Sequence, residues 1–123
     1  MGRILYVEDH EIFGAHVKNT ILARHHVDWV TSLDAARAIW DRATTPYDVI
    51  LCDYDLPDGK GREFVEWVRS ATSEEPEDYI PIIAVSAHDA GNQALISAGA
   101  DVICAKFGVT SSLLQTVEEV LAW

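Results

Sequence analysis

Basic side chains are scarce in this sequence. Nine Lys and Arg stand against 20 Asp and Glu, for a formal net charge of -11. Such a chain is repelled by the phosphates of nucleic acid and of anionic membranes, so neither is expected as a partner. Cysteine is sparse too. Cys52 and Cys104 each lie inside an apolar run with no second ligand at metal spacing, and read as buried, reduced thiols. The histidines, His10, His16, His25, His26 and His88, form no HxxxH pair, which argues against zinc. No apolar run is long enough to cross a bilayer, and the opening "MGRILYVED" lacks the basic, apolar and cleavable pattern of an export signal. A cytoplasmic location is therefore expected. No linker or low-complexity tract interrupts the chain, and the acidic stretch "EEPED" at 74–78 reads as a solvated loop.

What is present is an alternation. The 123 residues are 49% hydrophobic, enough for one core, so residues 1–123 are expected to form a single domain without an output domain. "ILYV" (4–7), "VILC" (49–52), "IIAV" (82–85) and "DVICA" (101–105) are short, continuous and rich in β-branched residues, as strands covered on both faces should be. "VDWVT" (27–31) alternates, as an edge strand would. Between the strands, apolar residues recur at helical spacing: Phe13, Val17 and Ile21; Ala36, Ile39, Trp40 and Ala43; Phe64, Trp67, Val68 and Ala71; Leu113, Val117, Val120 and Leu121. Residues 88–99 read as a weaker helix, with Gly91 in its first turns and Gly99 as its stop. Ser112 and Gln115 read as a capping box opening the last helix. A β-α unit repeated five times implies an α/β fold with a parallel sheet, whose ligand crevice lies at the carboxyl ends of the strands.

The residues at those ends are chemically complementary. The first strand runs into Glu8 and Asp9, the third into Asp53, the fourth into Ser86 and the fifth into Lys106. Crowded carboxylates disfavour one another's ionisation unless something compensates. A hard divalent cation such as Mg2+ does so with oxygen ligands, and leaves positions for phosphate oxygens. A lysine and a hydroxyl beside them suit a phosphoryl group arriving at a carboxylate.

The segments "YVEDHE", "ILCDYDLPDGKG", "AVSAHD" and "GADVICAK" resemble, in order and over nearly the whole chain, the four signature segments of the response-regulator receiver domain of two-component systems. The resemblance implies a doubly wound, flavodoxin-like parallel sheet of five strands in the order 2-1-3-4-5, with five helices. It implies that Asp53 is the phosphoacceptor, that Asp9 is a direct Mg2+ ligand with Glu8 acting mainly through a coordinated water, and that the backbone carbonyl of Asp55 completes the protein ligands. Ser86 and Lys106 then engage the phosphoryl group and report it, while Pro57 and Gly59 shape the loop after the acceptor. The implied donor is a histidine kinase or histidine phosphotransfer protein, and the implied output is contact with an unidentified downstream protein by a monomer or weak homodimer. The chain would not be an enzyme beyond its own phosphorylation and dephosphorylation. In the implied strand order Cys52 and Cys104 are two strand spacings apart, roughly 9–10 Å, beyond the approximately 7 Å reach of a disulfide.

Departures from the family pattern concern the switch. Phe107 follows Lys106 where proline is common; a cis bond before a non-proline residue costs about 2.5–4 kcal/mol, so a trans bond is expected. Ile103 occupies the place of a frequent aromatic, the stretch from Ser86 to Lys106 is shorter than usual, and Asp55 puts a carboxylate where many relatives have a neutral group. These departures keep open an alternative, a receiver-like interaction module that acts independently of phosphorylation. Two other readings fail. "ILCDYD" is similar to the first motif of haloacid-dehalogenase-type phosphatases, but those place it on the first strand and need an acidic pair after the lysine, where this chain has only Glu118 and Glu119 of an amphipathic helix. As an EF-hand loop from Asp53, the closing glutamate would be Phe64.

Overall fold

The computed structural model describes residues 2–71, 78–104 and 110–123. Most of the acidic stretch at 74–78, together with Lys106, Phe107 and the bond between them, lies outside the described residues. Strands β1 (Arg3–Val7), β2 (His26–Val30), β3 (Val49–Cys52), β4 (Ile82–Ala84) and β5 (Val102–Ile103) form one parallel sheet in the order β2-β1-β3-β4-β5. This is the expected order, with β2 at an edge. The helices are α1 (Glu11–His16, widening into a π-helical turn at Val17–Ile21), α2 (Leu33–Arg42), α3 (Gly61–Ala71), α4 (Asp89–Ala98) and α5 (Thr110–Leu121). A two-stranded hairpin, Asp55–Leu56 with Gly59–Lys60, follows β3.

Strand alternation sorts the core into two layers. Leu5, Val7, Ile50, Cys52, Ile82 and Ala84 pack against Ala36, Phe64, Val68 and Leu95 of α2, α3 and α4. Ile4, Tyr6, Val49, Leu51 and Ile83 face the other way, against Val17 of α1 and Leu113, Val117 and Val120 of α5. Cys52 belongs to the first layer and Cys104 to the second, and neither forms a disulfide. Alternation along the strands thus puts the two thiols on opposite sides of the sheet.

Polar staples tie the layers together. Arg69 of α3 donates from Nε to the Gly99 carbonyl (3.0 Å), from Nη1 to the Ile80 carbonyl (2.8 Å) and from Nη2 to Asp101 (2.9 Å). Asp101 also accepts from the Ile82 backbone N–H at 2.8 Å. One guanidinium thus joins α3, the C-terminus of α4 and the starts of β4 and β5, using its planar fork of donors. At the opposite edge Glu118 of α5 accepts from Arg24 and faces Nε2 of buried His25, whose Nδ1 accepts from the Gly2 N–H at 2.8 Å.

The start of α2 is capped twice. Ser32 Oγ accepts from Ala35 N at 3.1 Å, and Asp58, from the turn of the hairpin, accepts from the N–H groups of Leu33 (2.8 Å) and Asp34 (3.0 Å). These first helical donors have no partner within the helix itself. At the last helix the expected capping box does not form. The helix already starts at Thr110, so Ser112 lies inside it; Gln115 donates to Glu119 at 3.1 Å, one turn ahead, and does not reach back. Asp28 on the edge strand β2 is also held: Tyr47 donates its hydroxyl to it at 2.7 Å and Arg3 lies 3.6 Å away.

Replacing Arg69 with alanine strips the donor from the Gly99 and Ile80 carbonyls, Asp101 and the Tyr79 hydroxyl, and should lower the unfolding free energy by about 2–3 kcal/mol in urea titration. Asp58→Ala should cost about 1 kcal/mol. The Leu33 and Asp34 N–H groups hold the Asp58 carboxyl below its ordinary value, and Arg24 does the same for Glu118. Both depressed values stabilise the fold above the unfolded carboxylate range near roughly pH 4, and that contribution is lost as pH falls through the lower folded values. Urea midpoints from pH 7 to pH 2.5 should therefore fall in that acid window, less steeply in Asp58→Asn.

Candidate functional site

The sheet hydrogen bonds run past the strand ends and set the site residues side by side. Glu8 N–H donates to the Val30 carbonyl (2.9 Å), Asp53 N–H to the Val7 carbonyl (3.0 Å) and Val85 N–H to the Cys52 carbonyl (3.0 Å), immediately before Ser86. One carboxylate oxygen each from Glu8, Asp9 and Asp53 consequently lies within 4.8 Å of the others. Glu8 is fully buried, Asp53 is 5% exposed, and Asp9 faces solvent. A cleft of about 370 Å³ opens over them, lined by Asp9, His10, Asp53, Asp55, Ser86 and His88. A larger cleft of about 550 Å³ lies elsewhere, between Gly2, Asp48 and Tyr79 on one side and Val120, Leu121 and Trp123 on the other, and touches none of these residues. Five of the six residues predicted at the strand ends and the following loop are brought together; the sixth, Lys106, lies outside the described residues.

The carboxylates are held by neighbours that the sequence patterns did not single out. Tyr6, buried two residues before Glu8 on the same strand face, has its hydroxyl 3.4 Å from Glu8 Oε1, and the His10 N–H donates to Glu8 Oε2 at 3.2 Å. Burial, and then the charges of Glu8 and Asp53, push the Tyr6 phenol well above its ordinary range, so it remains a donor. Trp29 donates Nε1–H to the Glu8 carbonyl at 2.8 Å. His10 caps α1, its Nδ1 accepting from Phe13 N–H at 3.1 Å. Asp53 Oδ1 accepts from the Tyr54 N–H at 2.8 Å.

Beneath Asp53 the packing is tight. A Cβ on Gly61 would stand 1.8 Å from the Asp53 carbonyl oxygen, so only glycine lets α3 begin here. Cys52 donates its thiol to the same carbonyl at 3.3 Å, and burial, followed by the charges of Asp53 and Glu8, pushes that thiol far up. The carboxylate of Asp55, the departure noted above, is engaged by Lys60, whose Nζ lies 2.6 Å from Oδ1 and 5.2 Å from the centre of the Tyr54 ring. Much of the additional charge is thus met locally.

Across the cleft Ser86 is 4% exposed, and its Oγ accepts from the His88 N–H at 3.3 Å. Gly91, read as a weak point of its helix, is there for close approach: a Cβ would come within 2.8 Å of Ser86 Oγ and 2.9 Å of Tyr54 Cβ. Asn92 bonds both main-chain groups of Ser86, with Oδ1 accepting from its N–H (3.0 Å) and Nδ2 donating to its carbonyl (3.2 Å). Its only sequence signal was a polar residue on the inner side of a helix. Ile103 lies on β5 at 41% exposure, away from the cleft lining.

Geometry and sequence comparison converge at this point. The profile of the response regulator receiver domain matches residues 4–118. The chain belongs to that family. Receiver domains are phosphoaccepting partners of histidine kinases and phosphotransfer proteins in two-component signalling, and typically bind Mg2+. A sensor histidine kinase, GacS of Pseudomonas protegens, is 33% identical over 82 residues; these cover 65% of this chain and 9% of that protein's length. The Francisella response regulator 1452 receiver domain superposes with a TM-score of 0.81 at 18% identity, over 99% of this chain and 98% of that one. The non-phosphorylated HemR receiver domain from Leptospira biflexa gives 0.80 at 23% identity, over 100% and 96%. At those identities the structures establish a common fold.

The donor set fits a hard cation: three carboxylates converge, and among the described residues this is the one such acidic group. The packing under Asp53 also makes a prediction. Gly61→Ala has no room for its methyl and should displace Asp53, weakening Mg2+ binding at least about tenfold, read by tryptophan fluorescence titration, or prevent folding outright. Gly99→Ala, at the far end of α4, should leave the Mg2+ titration unchanged whatever it costs in stability.

Proposed function

We propose that this receiver accepts a phosphoryl group on Asp53 from a phosphohistidine of a partner kinase or phosphotransfer protein. The burial of Asp53 beside Glu8 and Asp9, under a cleft open to a donor, is the observation that carries this reading. One Asp53 carboxylate oxygen attacks phosphorus; the P–N bond breaks, its electron pair stays on the imidazole nitrogen, and that nitrogen takes up a proton. An acyl phosphate is left on Asp53.

Glu8, Asp9, Asp53 and the backbone carbonyl of Asp55 would hold Mg2+, which offsets the negative charge gathering between phosphate and carboxylates. Tyr54 N–H holds Asp53 Oδ1 and so fixes the orientation of the acceptor carboxylate. Ser86 then donates its hydroxyl to a phosphoryl oxygen and Lys106 supplies a positive charge, so both favour the phosphorylated form. The low content of basic side chains suits output by protein contact in the cytoplasm, from residues 1–123 acting as one receiver unit. The likeness to part of a sensor histidine kinase supports a place next to such a kinase.

A second reading, phosphorylation-independent docking, is favoured by Ile103, an exposed aliphatic residue that has no ring to swing. Intact mass separates the two. Incubation with acetyl phosphate should add one phosphoryl group in the presence of Mg2+ and none in EDTA, and Asp53→Asn should gain nothing under either condition. A folded wild-type protein that stays unmodified with both acetyl phosphate and a phosphorylated histidine phosphotransfer domain would transfer support to the second reading.

A further inference from the structure

Ser86 is expected to move its hydroxyl toward a phosphoryl group on Asp53, and such a motion counts as a signal only if something else moves with it. Ile103 offers no ring for that purpose. The structure places a different connection on Ser86, made by one buried side chain. Asn92 is 4% exposed, and its amide is bonded at both ends to the main chain of Ser86, at 3.0 Å and 3.2 Å. The Asn92 backbone N–H donates to the His88 carbonyl at 3.1 Å, in the first turn of α4. Gly91 meanwhile lies against Ser86 Oγ and Tyr54, with no space between them for even a methyl group.

From this geometry we infer that Asn92 is a positioning residue that locks Ser86 to α4, so that displacement of Ser86 on phosphorylation is delivered as a shift of α4. A bidentate amide transmits displacement in a way a single hydrogen bond does not: Ser86 cannot translate or rotate its peptide groups without carrying Asn92 or breaking both bonds. Breaking them would leave two buried main-chain groups unpaired, so carrying the helix is the cheaper course. The close contact at Gly91 works in the same direction, because the helix start has no slack against Ser86.

This inference rests on the phosphoacceptor reading, and hydrogen exchange tests the two separately. In the unmodified protein, Asn92→Ala should speed exchange of the Ser86 amide and of the first-turn amides of α4 about tenfold or more, whatever the phosphorylation chemistry. With beryllium fluoride and Mg2+ at full occupancy, set by intact mass, the wild type should change exchange across residues 89–98, and Asn92→Ala should confine the change to the vicinity of Asp53 and Ser86. Asn92→Asp, which keeps the acceptor and loses the donor, serves if the alanine variant does not fold, and should give an intermediate response. Ile103→Ala should respond as the wild type does. The coupling is overturned if α4 responds equally in wild type and either Asn92 variant, if α4 of an occupied wild type is silent, or if Ile103→Ala abolishes the response. A wild type that never binds beryllium fluoride overturns the phosphoacceptor reading, and this coupling with it, while the exchange of the unmodified Asn92 variant still reports on the clamp.

Discussion

Carboxylates held close together at the ends of neighbouring strands are the costly feature around which this molecule is built. Glu8 has no solvent contact and Asp53 almost none, yet both lie within 4.8 Å of a third carboxylate oxygen. Anions in that position persist only where the surroundings fix them and supply donors. The fold does both. Two layers of apolar side chains hold the strands, the ladder extends one residue past each strand to aim the acids, and Tyr6, His10 and Tyr54 turn donors toward them. Gly61 belongs to the same object, since the start of α3 lies directly against the Asp53 carbonyl.

Much of this was legible because it depends on chain-local patterns. Continuous apolar runs identified the central strands, alternation identified β2 as an edge, and acidic residues directly after the runs identified the strand ends as a site. The stripes containing Phe64 and Val117 fell on the buried faces of α3 and α5, as helical periodicity demands. What pattern reading missed depends on approach between distant segments. Gly91 looks like a helix breaker in one dimension and proves to be the surface against which Ser86 and Tyr54 pack. Asn92 and Arg69 look like ordinary helix polar residues, and each closes several main-chain bonds on other elements. Ser112 misled for the opposite reason: a correct local motif was overridden because the helix had already begun at Thr110.

The same distinction organises the surface of the site. Asp55 adds a charge beside the cleft, and Lys60 from the other strand of the hairpin meets it at 2.6 Å, so this departure from the family pattern carries its own compensation. Ile103 is compensated differently. The ring that other receivers often carry at that place is absent, and the firm mechanical link in this chain runs from Ser86 through Asn92 into α4. On the proposed reading, chemistry at Asp53 is set by the strand ends and output by the Ser86–Asn92 link into α4, so the two are separable.

Whether the acid cluster is a cation site is measured most directly by thermal unfolding across a Mg2+ titration. A ligand that binds only the folded state raises stability by RT ln(1 + [L]/Kd). The wild-type Tm should keep climbing with the logarithm of Mg2+ concentration once that exceeds Kd, and the climb should shrink sharply in Asp9→Asn and in Asp53→Asn. A wild-type Tm that stays flat to tens of millimolar Mg2+, or a climb that both variants retain in full, would contradict the assignment of Glu8, Asp9 and Asp53 as the metal-holding core of the site.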